Sequence, residues 1–362
     1  MSFQKNTGEA LSNVLESQGE DGTVRIIERA LETKKIRPED FSIKEIWEAC
    51  SKKRATWKNL SEAVASSSFP KITGTLINSK IISGYEGVQT IGEDLVTTVS
   101  SNMQVDTIAG FSDVETPEEV GEGDAYKDST LSEKYVTAQN VKYGRMLSVT
   151  EEMIFFDKTG QIMNRAMRIG RKAAQYKERL ILRGVQDLDT TVYRPSGTPT
   201  AFYSAANRNL IATNSFGESG LTAVRVRAQQ MKDDSIGVSD DDYIFINVDN
   251  LLALVPADLE VQAWEMANST LTPEGAEGAA NFYKGRFKVK SSPFITGQSP
   301  STWFYGDFKE DFWWEEVWPL QIMTQKPGHE DEFKSDIKAR VKVRFYGSIA
   351  AVDFKHVFKS TA

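Results

Sequence analysis

Cysteine and histidine are almost missing from this chain: Cys50 stands alone, and His329 and His356 are the only imidazoles. A single thiol makes no intrachain disulfide and no cysteine-rich metal site. Cys50 is expected to be a buried bystander. Two histidines, one in a Lys-Pro-Gly-His-Glu-Asp turn and one in a strand-like stretch, are too few for a histidine-rich metal centre. No window approaches 18 uninterrupted apolar residues, so no membrane span is predicted. The opening MSFQKNTGEALSNVLE lacks the basic region and apolar run of a signal peptide, which points to synthesis in a cytoplasm.

Catalytic signatures are equally scarce. There is no P-loop and no dinucleotide fingerprint. Ser219 lies in GESGL, where Leu221 replaces the second glycine of a nucleophile elbow. No pair of carboxylates sits in the apolar surroundings that raise a pKa. The sequence therefore predicts no catalytic residue, no metal ligand and no cofactor. Asn268-Ser269-Thr270 matches a glycosylation acceptor, but without a secretory signal it is not expected to be used. No repeat of 20 to 50 residues is present.

What the chain has is globular: 362 residues, 40% hydrophobic and 26% charged, enough for two or three domains with a sizeable core. Its net charge of −8 argues against a dedicated nucleic-acid-binding domain. The charges are unevenly distributed. From Phe111 to Glu133 eight acidic residues face one lysine, Lys127; from Gly160 to Gly184 seven basic residues face Glu178 alone. Such an arm beside such a rod is suited to partners: further copies of the chain, and a polyanion.

Residues 1 to about 65 predict short helices broken by Gly19, Gly22 and Pro38, with Ile43, Ile46, Trp47 and Cys50 on one stripe. They are expected as an appendage or as an arm packing on a neighbour. Ser66 to Pro70 (SSSFP) is the linker candidate, and Ile72 to Val88 has helical spacing. Strand character runs from Asp94 to Gly110 and again from Tyr135 to Val149, closing a long projecting hairpin over the acidic stretch. Alone in water such a hairpin is unstable and needs a surface to lie on.

A rod of about 40 Å follows Asp157, a candidate N-cap, and ends at Gly184. Ile162, Ala166, Ile169, Ala173, Tyr176 and Leu180 form its apolar stripe. Arg165, Arg168, Lys172, Arg179 and Arg183 form a second stripe about 80° around it. Further on, Leu221 to Lys232 and Pro256 to Met266 predict helices, and YIFINV (243–248) a buried strand. Lys288 to Lys290, Trp303 to Phe308, Asp311 to Gln325 and Ile337 to Phe358 predict strands. In the last, Ile337, Ala339, Val341, Val343 and Phe345 alternate with Lys338, Arg340, Lys342 and Arg344, giving one basic face. Trp303, Trp313, Trp314 and Trp318 suit core and interface packing.

The order and spacing of these pieces carry a resemblance. VGEGDAY (120–126), KYGRMLSVTEEMIFFDKTGQI (142–162), VPADLEVQAWEMANST (255–270), FKVKSSPFITG (287–297), STWFYGDF (301–308) and IKARVKVRFYGSIAAVDFKHVF (337–358) together resemble the tailed-bacteriophage major capsid protein with the HK97-type fold. SSSFPKITGTLINSKIISGYEG (66–87) is similar to the subgroup accompanied by a ClpP-like prohead protease.

The resemblance implies an α+β fold with a long spine helix, antiparallel P-domain strands, a mixed A-domain and a projecting E-loop. It implies these boundaries: 1–65 a helical N-terminal extension or N-arm, 66–110 the start of the P-domain, 111–147 the E-loop hairpin, 148–186 the spine helix, 187–300 the A-domain and 301–362 P-domain strands. The function implied is structural, not enzymatic: self-assembly into hexamers and pentamers of an icosahedral head, located in the virion capsid and built in the host bacterial cytoplasm. Identical subunits are the main partners, with a portal, a scaffold or prohead protease, and packaged double-stranded DNA bound non-specifically; no membrane is involved.

Asp113, Glu115, Glu118, Glu119, Glu122 and Asp124 are then expected where the E-loop of one copy touches the next. The stripe of Arg165, Arg168, Lys172, Arg179 and Arg183 is expected to face the lumen and DNA, or a neighbouring copy. The competing readings are an encapsulin-like shell holding enzyme cargo, a tail-tube protein, and a soluble serine hydrolase.

Overall fold

The structure is a computed structural model that describes residues 7–51, 68–111, 119–121, 125, 133–156, 158–189, 192–212, 214–232, 243–273, 279–295, 301–325 and 336–361. The chain opens with helices α1 (Thr7–Glu32), α2 (Ile43–Ser51), α3 (Ser68–Glu86) and the short α4 (Gly92–Leu95). Strands β1 (Thr97–Ser100), β2 (Val105–Phe111), β3 (Glu133–Gln139) and β4 (Val141–Thr150) follow, then α5 (Glu151–Phe155) and the long α6 (Thr159–Val185). Next come β5 (Leu210–Ala212), α7 (Glu218–Gln229), β6 (Leu251–Val255), α8 (Glu260–Asn268) and β7 (Phe287–Ser291). The chain closes with β8 (Trp303–Gly306), α9 (Phe308–Asp311), β9 (Phe312–Thr324), β10 (Ile337–Ala351) and β11 (Val357–Thr361).

Two compact units divide these elements. The first holds Met1–Gln89, Lys142–Lys177 and Trp318–Tyr346; the second holds Thr90–Val141, Glu178–Val317 and Gly347–Ala362.

In the first unit, one apolar core gathers Leu11, Ile27, Phe41, Ile46 and Trp47 with Phe69, Ile72, Leu76 and Ile81 of α3, Ile162 and Ala166 of α6, and Ala339, Val341 and Val343 of β10. The helices before residue 52 are thus built into a core that also holds α6 and β10. The turn of α1 is at Gly19, whose φ of 68° belongs to the region that favours glycine, while Gly22 continues as helix. At the start of α2 the Ile43 N–H, which has no partner inside its own helix, donates to Thr159 Oγ1 at 2.9 Å.

The linker expected at Ser66 to Pro70 is overturned where it is described. Ser68, Phe69 and Pro70 are the buried first turn of α3. Proline is tolerated there because a first-turn N–H has no intrahelical acceptor to lose. Cys50 is half-buried, and burial, with Glu20 nearby, pushes its thiol up to about 12, so it is inert at neutral pH.

The alternation expected in β10 is observed: Ala339, Val341, Val343 and Phe345 are buried and Lys342 is exposed. The basic face has partners on its own chain. Lys338 lies 3.7 Å from Glu151, Arg340 Nε donates to Ser148 Oγ, and Arg344 donates to Gln321 while its guanidinium sits 4.4 Å from the Trp318 ring centre.

The second unit contains a five-stranded sheet in the order β5-β11-β8-β6-β7. β11 runs parallel to β5 and antiparallel to β8, and β6 runs antiparallel to β8 and parallel to β7. The buried strand expected at 243–248 lies elsewhere. It is β6, Leu251–Val255, whereas Tyr243 to Val248 makes only the isolated bridge from Tyr243 to Lys232 and leaves Phe245 fully exposed. Trp303 and Trp314 are buried, as expected of core tryptophans.

Candidate assembly interface

The second unit carries the hairpin. β2 and β3 pair antiparallel from Val105↔Gln139 to Phe111↔Glu133 and form a two-stranded sheet of their own. The single returning strand expected over 135–149 is broken at Asn140 into β3 and β4. Midway along β3 the hairpin is tied to its own unit by backbone bonds from Thr137 N to Arg194 O and from Ser196 N to Tyr135 O.

Asn140 itself is buried. Its Nδ2 donates to Met103 O at 3.0 Å and to Glu315 Oε2 at 3.1 Å, and its Oδ1 accepts from Ser348 Oγ at 2.9 Å. Burial raises the Glu315 carboxyl, and the Asn140 amide pulls it back down. Replacing Asn140 by alanine leaves that buried carboxylate without its side-chain donor. The expected cost is about 1–3 kcal/mol, read as a lower denaturation midpoint. An unchanged midpoint would refute the role given to Asn140. Nothing in the sequence marks this residue, because its partners come from three distant segments.

Of the six acidic residues assigned to contacts between copies, Glu119 is described and is exposed. Asp113, Glu115, Glu118, Glu122 and Asp124 lie outside the described residues.

On α6 the apolar side is set differently from the stripe expected from spacing. Ile162 and Ala166 are buried, together with Met163, Gly170 and Ala174, while Ile169 and Ala173 are half-buried and Tyr176 is 41% exposed. Arg165, Arg168, Lys172 and Arg179 are exposed. Arg183 is committed locally: its guanidinium grips Asp189 through Nε at 3.0 Å and Nη2 at 2.7 Å, holding that carboxyl below its usual range. Glu178, the one acid of the rod, is buried and accepts the Ile91 and Gly92 amides at the start of α4.

His356 is the one histidine described, and it belongs to a structural pair. Its Nδ1 lies 2.8 Å from Asp311 Oδ1, while the His356 and Val357 amides donate to Asp311 Oδ2 at 3.0 and 2.8 Å. Burial pushes the Asp311 carboxyl up to about 7 against the pull of the imidazole. Burial lowers the ring's basicity, but Asp311, Asp353 and Glu310 outweigh it and the net shift is upward. Lys355 is turned to Asp353 at 3.6 Å.

The folded pair thus keeps a proton that an unfolded histidine releases near pH 6.5. The imidazole's contribution is complete below about pH 6.5 and is lost as pH rises through its raised folded value, while that of Asp311 is complete only below about pH 4 and is lost on the way up to about 7. Thermal unfolding of the wild type should fall more steeply than that of a His356→Gln variant above about pH 6.5. Parallel pH profiles would contradict the assignment. His329 lies outside the described residues. Among the described residues no group of acidic, histidine or cysteine side chains is placed to hold a metal ion, and no helix is long and apolar enough to cross a membrane.

Comparison with known proteins identifies the family. Residues 134–360, more than half of the chain, match the phage capsid protein family. Comparison with curated proteins returns no match. Among solved structures, the capsid of the native GTA particle aligns with a TM-score of 0.51 at 11% identity, over 75% of this chain and 90% of that one. The structure from Mycobacterium phage Adephagia aligns at 0.49 and 13% identity, over 76% and 90% of the two chains. The virus-like particle from Pyrococcus furiosus aligns at 0.45 and 7%, over 78% and 96%. By the family model that covers more than half of it, this chain belongs to the phage capsid protein family, and it has the HK97-type capsid fold.

Proposed function

We propose that the protein is the major capsid subunit of a tailed phage or prophage, assembling into hexamers and pentamers that close an icosahedral shell around double-stranded DNA. The role is structural. The observation that carries it is the self-paired β2–β3 hairpin leading into an acidic segment in a chain of the capsid family. A two-stranded ribbon is marginal in water and gains stability on a surface. A neighbouring copy supplies that surface, and the carboxylates of the hairpin set its register against basic side chains there. Each exposed ion pair is worth only about 0–1 kcal/mol, but the contact repeats at every interface of a shell.

The hairpin is then the E-loop, α6 the spine helix, and the exposed basic side chains of α6 meet either packaged phosphates or a neighbour's carboxylates. Phosphate contact of this kind is independent of sequence and weakens with salt. A cargo compartment of encapsulin type is less favoured, since the family matched is that of phage capsids. Portal, scaffold and prohead protease are the partners expected during assembly in the host cytoplasm.

Reversing Glu118, Glu119 and Glu122 to lysine is expected to abolish shells while the circular dichroism spectrum of the subunit stays that of the wild type. Electron microscopy of the expressed wild type and variant decides it. Normal particles from the variant would remove the hairpin's assigned role, and tubes or stable monomers from the wild type would remove the reading itself.

A further inference from the structure

Within the first unit lies a groove of about 640 Å³ that holds three cations, Arg145, Arg168 and Lys172, together with the rings of Tyr143, Tyr176 and Phe345. Arg168, Lys172 and Tyr176 stand at i, i+4 and i+8 on α6, along one face at intervals of about 6 Å. Tyr143 and Arg145 share one face of β4, since alternate residues of a strand point the same way. Tyr143 lies 5.2 Å from both Tyr176 and Phe345, centre to centre. Along α6 only Tyr176 accompanies the cations; the fold adds one ring from β4 and one from β10. Phe345 is buried, while Tyr176 stays open to solvent. The three cations are exposed and have no carboxylate partner among the described residues, and no acidic residue lines the groove.

Cations in a line beside an open ring suit a single-stranded nucleic acid: phosphates meet the charges, and a base of any identity lies on the ring. A duplex keeps its bases stacked inside and offers the groove its charges alone. An acidic peptide meets the charges too, but it gains from the rings only where it carries an apolar residue, whereas every nucleotide brings a π-face. We infer that this groove binds single-stranded nucleic acid without sequence preference, with phosphates on Arg145, Arg168 and Lys172 and a base on Tyr176, which Tyr143 and Phe345 support. The inference goes beyond the shell-forming reading, which asks of α6 only contact with phosphates or with a neighbour. It does not depend on that reading, because every residue of the groove belongs to one unit of one subunit.

The test uses unassembled subunits of the full chain and a fluorescent oligothymidylate of about twelve nucleotides, a length within the span of single-strand sites. Anisotropy is expected to show the single strand held at least about tenfold more tightly than a duplex of the same length, the worth of one stacked base. Binding of the duplex as tightly or more tightly would mean that charge alone acts, and would overturn the inference; so would no binding of the single strand at low salt. Ultraviolet irradiation should crosslink the oligonucleotide to the peptides that hold Tyr143 or Tyr176. Crosslinks confined to other peptides would also overturn it.

Variants at exposed positions separate the ring from the charges without disturbing the core. Tyr176→Ala should lower the affinity for the single strand about tenfold, and Tyr176→Trp should keep it, while the duplex responds to neither. Unchanged affinity in Tyr176→Ala would sink the proposal. Arg168→Gln with Lys172→Gln should make the slope of log affinity against log salt shallower by roughly 1.4, the share of two phosphate contacts on a single strand. An unchanged slope would remove the phosphates from this groove. Polyglutamate is the competitor that separates the ligand classes, and it is expected to displace the oligonucleotide only in large excess. If polyglutamate competes on equal terms, the groove is a site for acidic peptides and the inference fails. None of these outcomes bears on shell formation, and a parent protein that forms no shells leaves the groove's affinity to be measured in the same way.

Discussion

Gly170→Ala is expected to destabilise the first unit by about 3 kcal/mol or more, at the upper end of what overpacking costs. A Cβ at Gly170 would stand 2.1 Å from Ile81 O and 2.9 Å from Tyr85 N, and one at Gly84 would stand 2.3 Å from Met167 O. Helices α3 and α6 therefore touch backbone to backbone at this crossing. The atoms in the way are main chain and cannot rotate aside, so the helices must part and the core around Ile81 and Ala166 must open with them. The gain in helix propensity, about 1 kcal/mol, does not offset this. Gly160 is the control on the same helix. Nothing lies within 4 Å of its Cβ position, so Gly160→Ala should be neutral or slightly stabilising. Chemical denaturation of the two variants separates the cases, and equal midpoints would show that the close crossing carries no energetic weight.

Trp47→Ala should be comparably damaging, at about 3–5 kcal/mol. Trp47 is 1% exposed and belongs to the cluster that also holds Ile72, Ile162 and Val341. Removing the ring opens a cavity among residues from four parts of the chain, and the rigid α6 and β10 leave little room to collapse into it. The variant also separates two pictures of the N-terminal helices. If they were an appendage, Trp47→Ala would loosen only residues 7–51 and leave the rest of the first unit unchanged by hydrogen exchange. With the shared core, amides of α6 up to Lys177 and of β10 up to Tyr346 should lose protection together.

Much of the architecture is legible in the order of residues alone. The 3.6-residue spacing from Ile162 onward specifies α6, and strict alternation from Ile337 to Phe345 specifies β10, because each pattern records which side of one element meets the core. Where the pattern misled, a neighbour made the difference. YIFINV has the composition of a strand, yet β6 formed eight residues later, where Leu251 to Val255 found both β7 and β8 to pair with. SSSFP has linker composition, yet Phe69 had a core to enter. Tyr176 fits an apolar stripe, yet the buried side of α6 is centred on Gly170, because only glycine permits so close an approach of α3.

A resemblance of motifs pointed to the capsid family, and the sequence by itself determined the acidic stretch over 111–133, the basic stretch over 160–184 and the absence of catalytic and metal-binding motifs. Those properties depend on composition and short-range order, which need no knowledge of the fold. Tertiary structure alone decided that Asn140 meets Glu315 across 175 residues, that Asp311 holds His356, that Arg183 grips Asp189, and that Arg168 and Lys172 share a groove with the rings of Tyr143, Tyr176 and Phe345. Each depends on which distant segments the fold brings within about 3 Å, a distance that no periodicity encodes.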